Sequence, residues 1–122
     1  MTQVLLVDDS DVVRKVCRRV LTAMSFDVFE AENGEQALQT LSENPDIELV
    51  LLDVNMPVMD GLACLKTLRS TESLPQPRVV MCTTENELAV VSEALCAGAN
   101  EYVFKPFTEE IIREKVLEAF VA

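Results

Sequence analysis

The sequence contains no histidine and no tryptophan, one tyrosine (Tyr102) and three glycines. Without histidine the chain lacks the commonest general base and the commonest zinc ligand, so any chemistry rests on carboxylates, hydroxyls, lysines and thiols. The four cysteines, Cys17, Cys64, Cys82 and Cys96, form no C-x-x-C pair, and they read as small buried hydrophobes in a reducing compartment. Positive charge is scarce: 10 Lys+Arg face 21 Asp+Glu, a net of −11. Such a field repels phosphate backbones and argues against nucleic acid as a partner. No apolar run approaches the ~20 residues of a membrane span. No basic stretch precedes the first apolar run, so neither a membrane nor a secretory leader is expected, and the cytoplasm is the expected location. Low-complexity tracts are missing too, and 49% of the 122 residues are hydrophobic, which suits one globular domain over 1–122 with no room for an effector domain.

What is present alternates between two periods. Val4-Leu5-Leu6-Val7, Leu49-Val50-Leu51-Leu52 and Val79-Val80-Met81-Cys82 are continuous apolar runs, as in strands buried on both faces. The stretch 27–31 alternates, and Tyr102-Val103-Phe104 is short, so both suit sheet edges. Between them, residues at helical spacing mark helices over about 12–24, 35–41, from Gly61 through Leu68, 88–96 and 108–120, the last with Thr108 as N-cap. Strict strand–helix alternation predicts an α/β protein: a three-layer (βα)5 doubly wound parallel sheet in the order 2-1-3-4-5 with right-handed crossovers.

In such a sheet, ligands bind beyond the carboxyl ends of the strands. Asp8, Asp9, Ser10 and Asp11 follow the first strand, Asp53 and Asn55 the third, Thr83 and Thr84 the fourth, Lys105 and Pro106 the fifth. Crowded carboxylates repel, and a hard divalent cation such as Mg²⁺ relieves that repulsion. A cation beside a lysine and a hydroxyl makes a phosphoryl cradle, in which Asp53, the acid at the centre of the sheet, is the candidate nucleophile. The bland readings are a capped helix start at 8–10, loop hydroxyls at 83–84 and a solvated basic face at Arg14, Lys15, Arg18 and Arg19, or else a docking rim there.

The stretches VLLVDDS (4–10), LVLLDVNMPVMDG (49–61), VVMCTTE (79–85) and EYVFKPF (101–107) together resemble the receiver domain of response regulators, the CheY-like, flavodoxin-like type, over nearly the whole chain. The resemblance implies that Asp53 accepts a phosphoryl group from a phosphohistidine on a sensor histidine kinase or phosphotransfer protein. It implies Mg²⁺ on Asp9, Asp53 and the Asn55 carbonyl, with Asp8 acting through water. Thr83 and Lys105 contact the phosphoryl oxygens, and Tyr102 is the switch aromatic. Thr84 stands where a smaller residue is usual and narrows access to Asp53, while Glu85 and the Asn55 side chain tune water attack. Beyond self-catalysed phosphorylation and dephosphorylation, no enzyme activity is implied. A haloacid-dehalogenase-type phosphatase would need an acid where Asn55 stands, and a flavodoxin's phosphate would be repelled by Asp8-Asp9. The fourth helix has too many apolar positions for one buried stripe. Leu88, Val91 and Leu95 are therefore expected to join Tyr102 and Phe107 in an apolar patch on the helix 4–strand 5–helix 5 face, for a downstream target protein or a phosphorylation-linked homodimer.

Overall fold

A computed structural model describes residues 1–84, 88–106 and 108–121; the side chains of Thr84, Leu88 and Val121 fall outside the description. The elements alternate as β1 (Gln3–Val7), α1 (Asp11–Ala23), β2 (Asp27–Ala31), α2 (Gly34–Glu43), β3 (Ile47–Asp53), α3 (Gly61–Ser70), β4 (Arg78–Thr84), α4 (Leu88–Ala97), β5 (Glu101–Lys105) and α5 (Glu109–Val121). All strand pairs are parallel, in the order β2-β1-β3-β4-β5. This is the expected doubly wound sheet.

The period of two along each strand sorts the apolar runs into two separate cores. Leu5, Val7, Val50, Leu52, Val79 and Met81 face α2, α3 and α4, where Ala37, Leu41, Leu65, Leu68 and Ala94 meet them. Val4, Leu6, Leu49, Leu51, Val80 and Cys82 face α1 and α5, meeting Cys17, Val20, Leu21, Ile112, Val116 and Ala119. Continuous apolar runs are thus strands covered on both sides, which leaves only their ends for chemistry.

Helix starts are set by side-chain caps. Ser10 Oγ accepts from the Val13 N–H, Asn33 Oδ1 from Gln36, Asp60 Oδ1 from Ala63 and Thr108 Oγ1 from Ile111. All four of these caps lie at the carboxyl edge of the sheet, so the turns into α1, α2, α3 and α5 are each held by their own hydrogen bond.

Three expectations need correction. Arg14 is not part of a solvated basic face: it is 8% exposed, because Glu30 on the edge strand and Asp11 surround its guanidinium. Val91 is 7% exposed, on the same face of α4 as the fully covered Ala94, and so cannot belong to a solvent-facing patch; Leu95, at 42%, does face solvent. Cys17, Cys64 and Cys82 are buried, but Cys96 is exposed, near the C-terminus of α4.

Candidate functional site

The carboxyl edge is assembled one strand at a time. β1 ends at Val7, and Asp8 follows with its carboxylate accepting the Ser10 N–H at 2.9 Å. β3 ends on Asp53, which continues the Leu49–Leu51 row toward the α1/α5 face. β5 ends on Lys105, which continues the Val103 row on the same face. The Lys105–Pro106 bond is cis. Lys105 Nζ donates to Asp8 Oδ2 at 2.8 Å and to Asp53 Oδ1 at 2.9 Å, so one ammonium bridges two carboxylates 45 residues apart in sequence. Asp8 and Asp53 are each 6% exposed and Thr83 2%. With Arg14 these are the buried polar side chains among the described residues, so three of four meet at this edge.

Gly61 explains why Asp53 can sit so deep. A Cβ there would lie 2.0 Å from the Asp53 carbonyl oxygen, and the Gly61 N–H donates to Val54 O at 2.9 Å. Only glycine lets the start of α3 press against the end of β3. Sequence reasoning took Gly61 for a helix-start marker. Its place directly after the cap Asp60, eight residues past Asp53, was the available signal.

Burial pushes the Asp53 carboxyl above its ordinary range. The Lys105 hydrogen bond and charge pull it back, and the charges of Asp8 and Asp9 push it up again. Burial also opposes the charge on Lys105, but the hydrogen bonds and charges of Asp8 and Asp53 outweigh it and hold the ammonium above the ordinary lysine range. Beneath the edge, burial and then the Asp8 charge raise the Cys17 thiol to about 11, and burial raises Cys82 as well. Burial thus disfavours the thiolate form that nucleophilic chemistry would need.

One carboxylate oxygen each from Asp8, Asp9 and Asp53 lie within 4.8 Å of one another. Octahedral Mg²⁺ with ligands at about 2.1 Å separates them by about 3 Å when adjacent and about 4.2 Å when opposite. The three oxygens fit such an ion after small movements, and their hard, anionic character suits it. Asp9 and Asn55 are exposed at the same edge, where solvent could complete the shell.

Of the other sequence-predicted residues, Thr84 pairs with Lys105 in the strand register. Glu85 and Phe107 lie outside the described residues, as does the Leu88 side chain. Tyr102 is away from the acid edge. It pairs with Met81, packs partly against the α2–α4 core, meets Phe104 edge-on at 5.3 Å and has Lys115 Nζ 5.5 Å from its ring centroid. Beside it, Phe104, Pro106, Ile111 and Lys115 line an open groove.

A doubly wound sheet of this order thus carries at its carboxyl edge three clustered aspartates, two of them bridged by Lys105. The chain belongs to the response regulator receiver domain family, whose model matches residues 4–117. It is similar to a chemotaxis protein CheY homolog of Campylobacter jejuni, 39% identical over 93% of this chain and 88% of that protein. The chemotaxis protein CheY1 of Helicobacter pylori is also 39% identical, with 93% of each covered. Among solved structures, that of the CheX–CheY–BeF3–Mg²⁺ complex from Borrelia burgdorferi superposes with a TM-score of 0.91 at 30% identity, covering 99% of this chain and 90% of that one. The chain is thus a CheY-like receiver domain of a two-component system, a signalling protein. No helix among the described residues is long and apolar enough to cross a membrane.

Proposed function

We propose that this receiver domain takes a phosphoryl group from the phosphohistidine of a sensor kinase or phosphotransfer protein onto Asp53, and that the modified state regulates a protein partner through the α4–β5–α5 face. The observation that carries this reading is the Lys105 ammonium joining Asp8 and Asp53 beside three clustered carboxylate oxygens. In the transfer, an Asp53 carboxylate oxygen forms a bond to phosphorus, the P–N bond breaks, and the freed imidazole takes its proton from water. Lys105 already touches the acceptor and is placed to pair with a transferred oxygen, which stabilises the charge that builds up in transfer. Thr83, buried at the end of β4, offers its hydroxyl to a second oxygen. Asp8, Asp9, Asp53 and the Asn55 carbonyl would hold Mg²⁺, which supplies neutralising charge for the phosphoryl oxygens. Thr84, with Glu85 and the Asn55 side chain, sets how fast water removes the group.

On the output side, Tyr102, Ile111, Leu95 and the groove between β5 and α5 are the surface for a target protein. Incubation with acetyl phosphate and Mg²⁺ should add one acid-labile phosphoryl group, read by mass spectrometry, and Asp53→Asn should abolish it. Equal labelling of the Asp53→Asn protein would refute the assignment.

A further inference from the structure

Among the described residues, Arg14 is the one buried charged residue that the phosphoacceptor site leaves unexplained. Its guanidinium is divided three ways. Nη1 donates to the backbone carbonyl oxygen of Asp8, Nη2 pairs with Asp11 and Nε donates to Glu30 Oε1 at 3.0 Å. Glu30 is held from its other oxygen by Arg18 Nε at 2.7 Å. The edge strand β2, the first turn of α1 and the end of β1 are therefore tied to one planar group, and the tie to β1 falls on the peptide that joins Asp8 to Asp9. The orientation of that peptide sets where both carboxylates point. The Asp8 side chain is fixed further by the Ser10 N–H and Lys105. Asp9 is exposed and has no such brace among the bonds described here, so its aim depends on the main chain behind it.

We infer that Arg14 is a positioning residue for the acid edge: by gripping the Asp8 carbonyl it holds the Asp8 and Asp9 carboxylates at cation-binding spacing, and so sets the affinity of the site for a divalent cation. The inference rests on the cation-binding reading above. Two effects of Arg14 on a bound cation oppose each other, and geometry decides between them. As a positive charge it repels the ion, but Asp11 and Glu30 pair with it directly and neutralise much of that field. As a planar fork it fixes a carbonyl, the role of an outer-shell partner, whose loss typically weakens metal affinity by about 10-fold or more. Charge alone predicts that removing Arg14 tightens binding. Positioning predicts that it weakens binding. The sign separates the two.

The test titrates Mg²⁺ alone, as its chloride, into the whole chain and into Arg14→Met, Arg14→Lys and Glu30→Gln proteins by calorimetry, with fold checked by circular dichroism. Arg14→Met keeps the buried volume and should raise the Mg²⁺ dissociation constant about 10-fold. Arg14→Lys keeps the charge but not the fork, and should lose affinity as well. Wild-type or tighter affinity in both proteins overturns the inference. Should Arg14→Met fail to fold, Glu30→Gln, altered on a partly exposed side chain, decides: weaker binding supports the positioning role and unchanged binding overturns it. If the unaltered protein takes up no Mg²⁺, the cation-binding reading itself fails, and the inference with it.

Discussion

Acidic residues stand at both ends of strand β3, on opposite terms. At its amino end Asp46 and Glu48 are exposed and keep their hydration. At its carboxyl end Asp53 is almost wholly buried, with Asp8 and Asp9 nearby and Lys105 as the cation in contact. The residues between, Leu49 to Leu52, are equally covered at both ends, so packing does not account for the contrast. The amino end leaves charge where it costs nothing, whereas the carboxyl end accepts a desolvation penalty that only a bound cation or a lysine offsets. Stability is given up at the end where chemistry is expected.

Breaking the carboxyl end should have the largest effect. Lys105→Ala leaves two buried carboxylates without their cation and should cost about 3 kcal/mol in urea unfolding of the metal-free protein, with Mg²⁺ restoring part of it. Adding Mg²⁺ tests the same tension from the other side. At about 100 times its dissociation constant it should stabilise the unaltered protein by about 2.7 kcal/mol, and Asp9→Asn should remove most of that gain. An unchanged melting temperature in excess Mg²⁺ would contradict the strained-edge account. Gly61→Ala drives a methyl group into the Asp53 carbonyl and should cost about 2 kcal/mol, read as a lower urea midpoint at constant slope.

The two ends of β3 can then be compared by neutralising one acid at each. In the fold Asp53 titrates above its ordinary value, so between the unfolded and folded values the native state binds more protons than the unfolded chain. Metal-free stability should therefore fall as pH rises through that window, and the loss should be complete above it. Asp53→Asn should flatten this slope and leave the metal-free protein more stable at neutral pH. Lys105 behaves in the opposite sense: its contribution is whole below the ordinary lysine value and fades only at strongly alkaline pH. Glu48→Gln, at the exposed end of the same strand, should shift stability by no more than about 0.5 kcal/mol.

The sheet and its acid edge were legible because burial on both faces writes itself as unbroken apolar runs, and because the acids and Lys105 stand where those runs stop. Other features had no such signature. Arg14 and Lys15 are adjacent basic residues on one helix, and only the parallel pairing of β2 beside β1 brings Glu30 to the first of them. Helix α4 is apolar on most sides, so its sequence shows that something must face solvent without fixing the phase. Packing against the sheet buries Val91 and Ala94 and leaves Leu95 out. Cys96 carries the same side chain as the buried helical cysteines Cys17 and Cys64 and differs from them in the helix face it occupies. The position of Gly61 after Asp60 marks a helix start, but its contact with the Asp53 carbonyl oxygen appears only in the folded chain.

The scarcity of aromatic side chains gives Tyr102 a practical meaning. With no tryptophan in the chain, its phenol is the dominant source of intrinsic fluorescence, and it sits between the edge of Phe104 and the ammonium of Lys115 on the strand that ends in Lys105. Any event at the acid edge that shifts β5 must change the surroundings of that one ring. The molecule thus carries its own optical probe on β5, readable at a known position without a label.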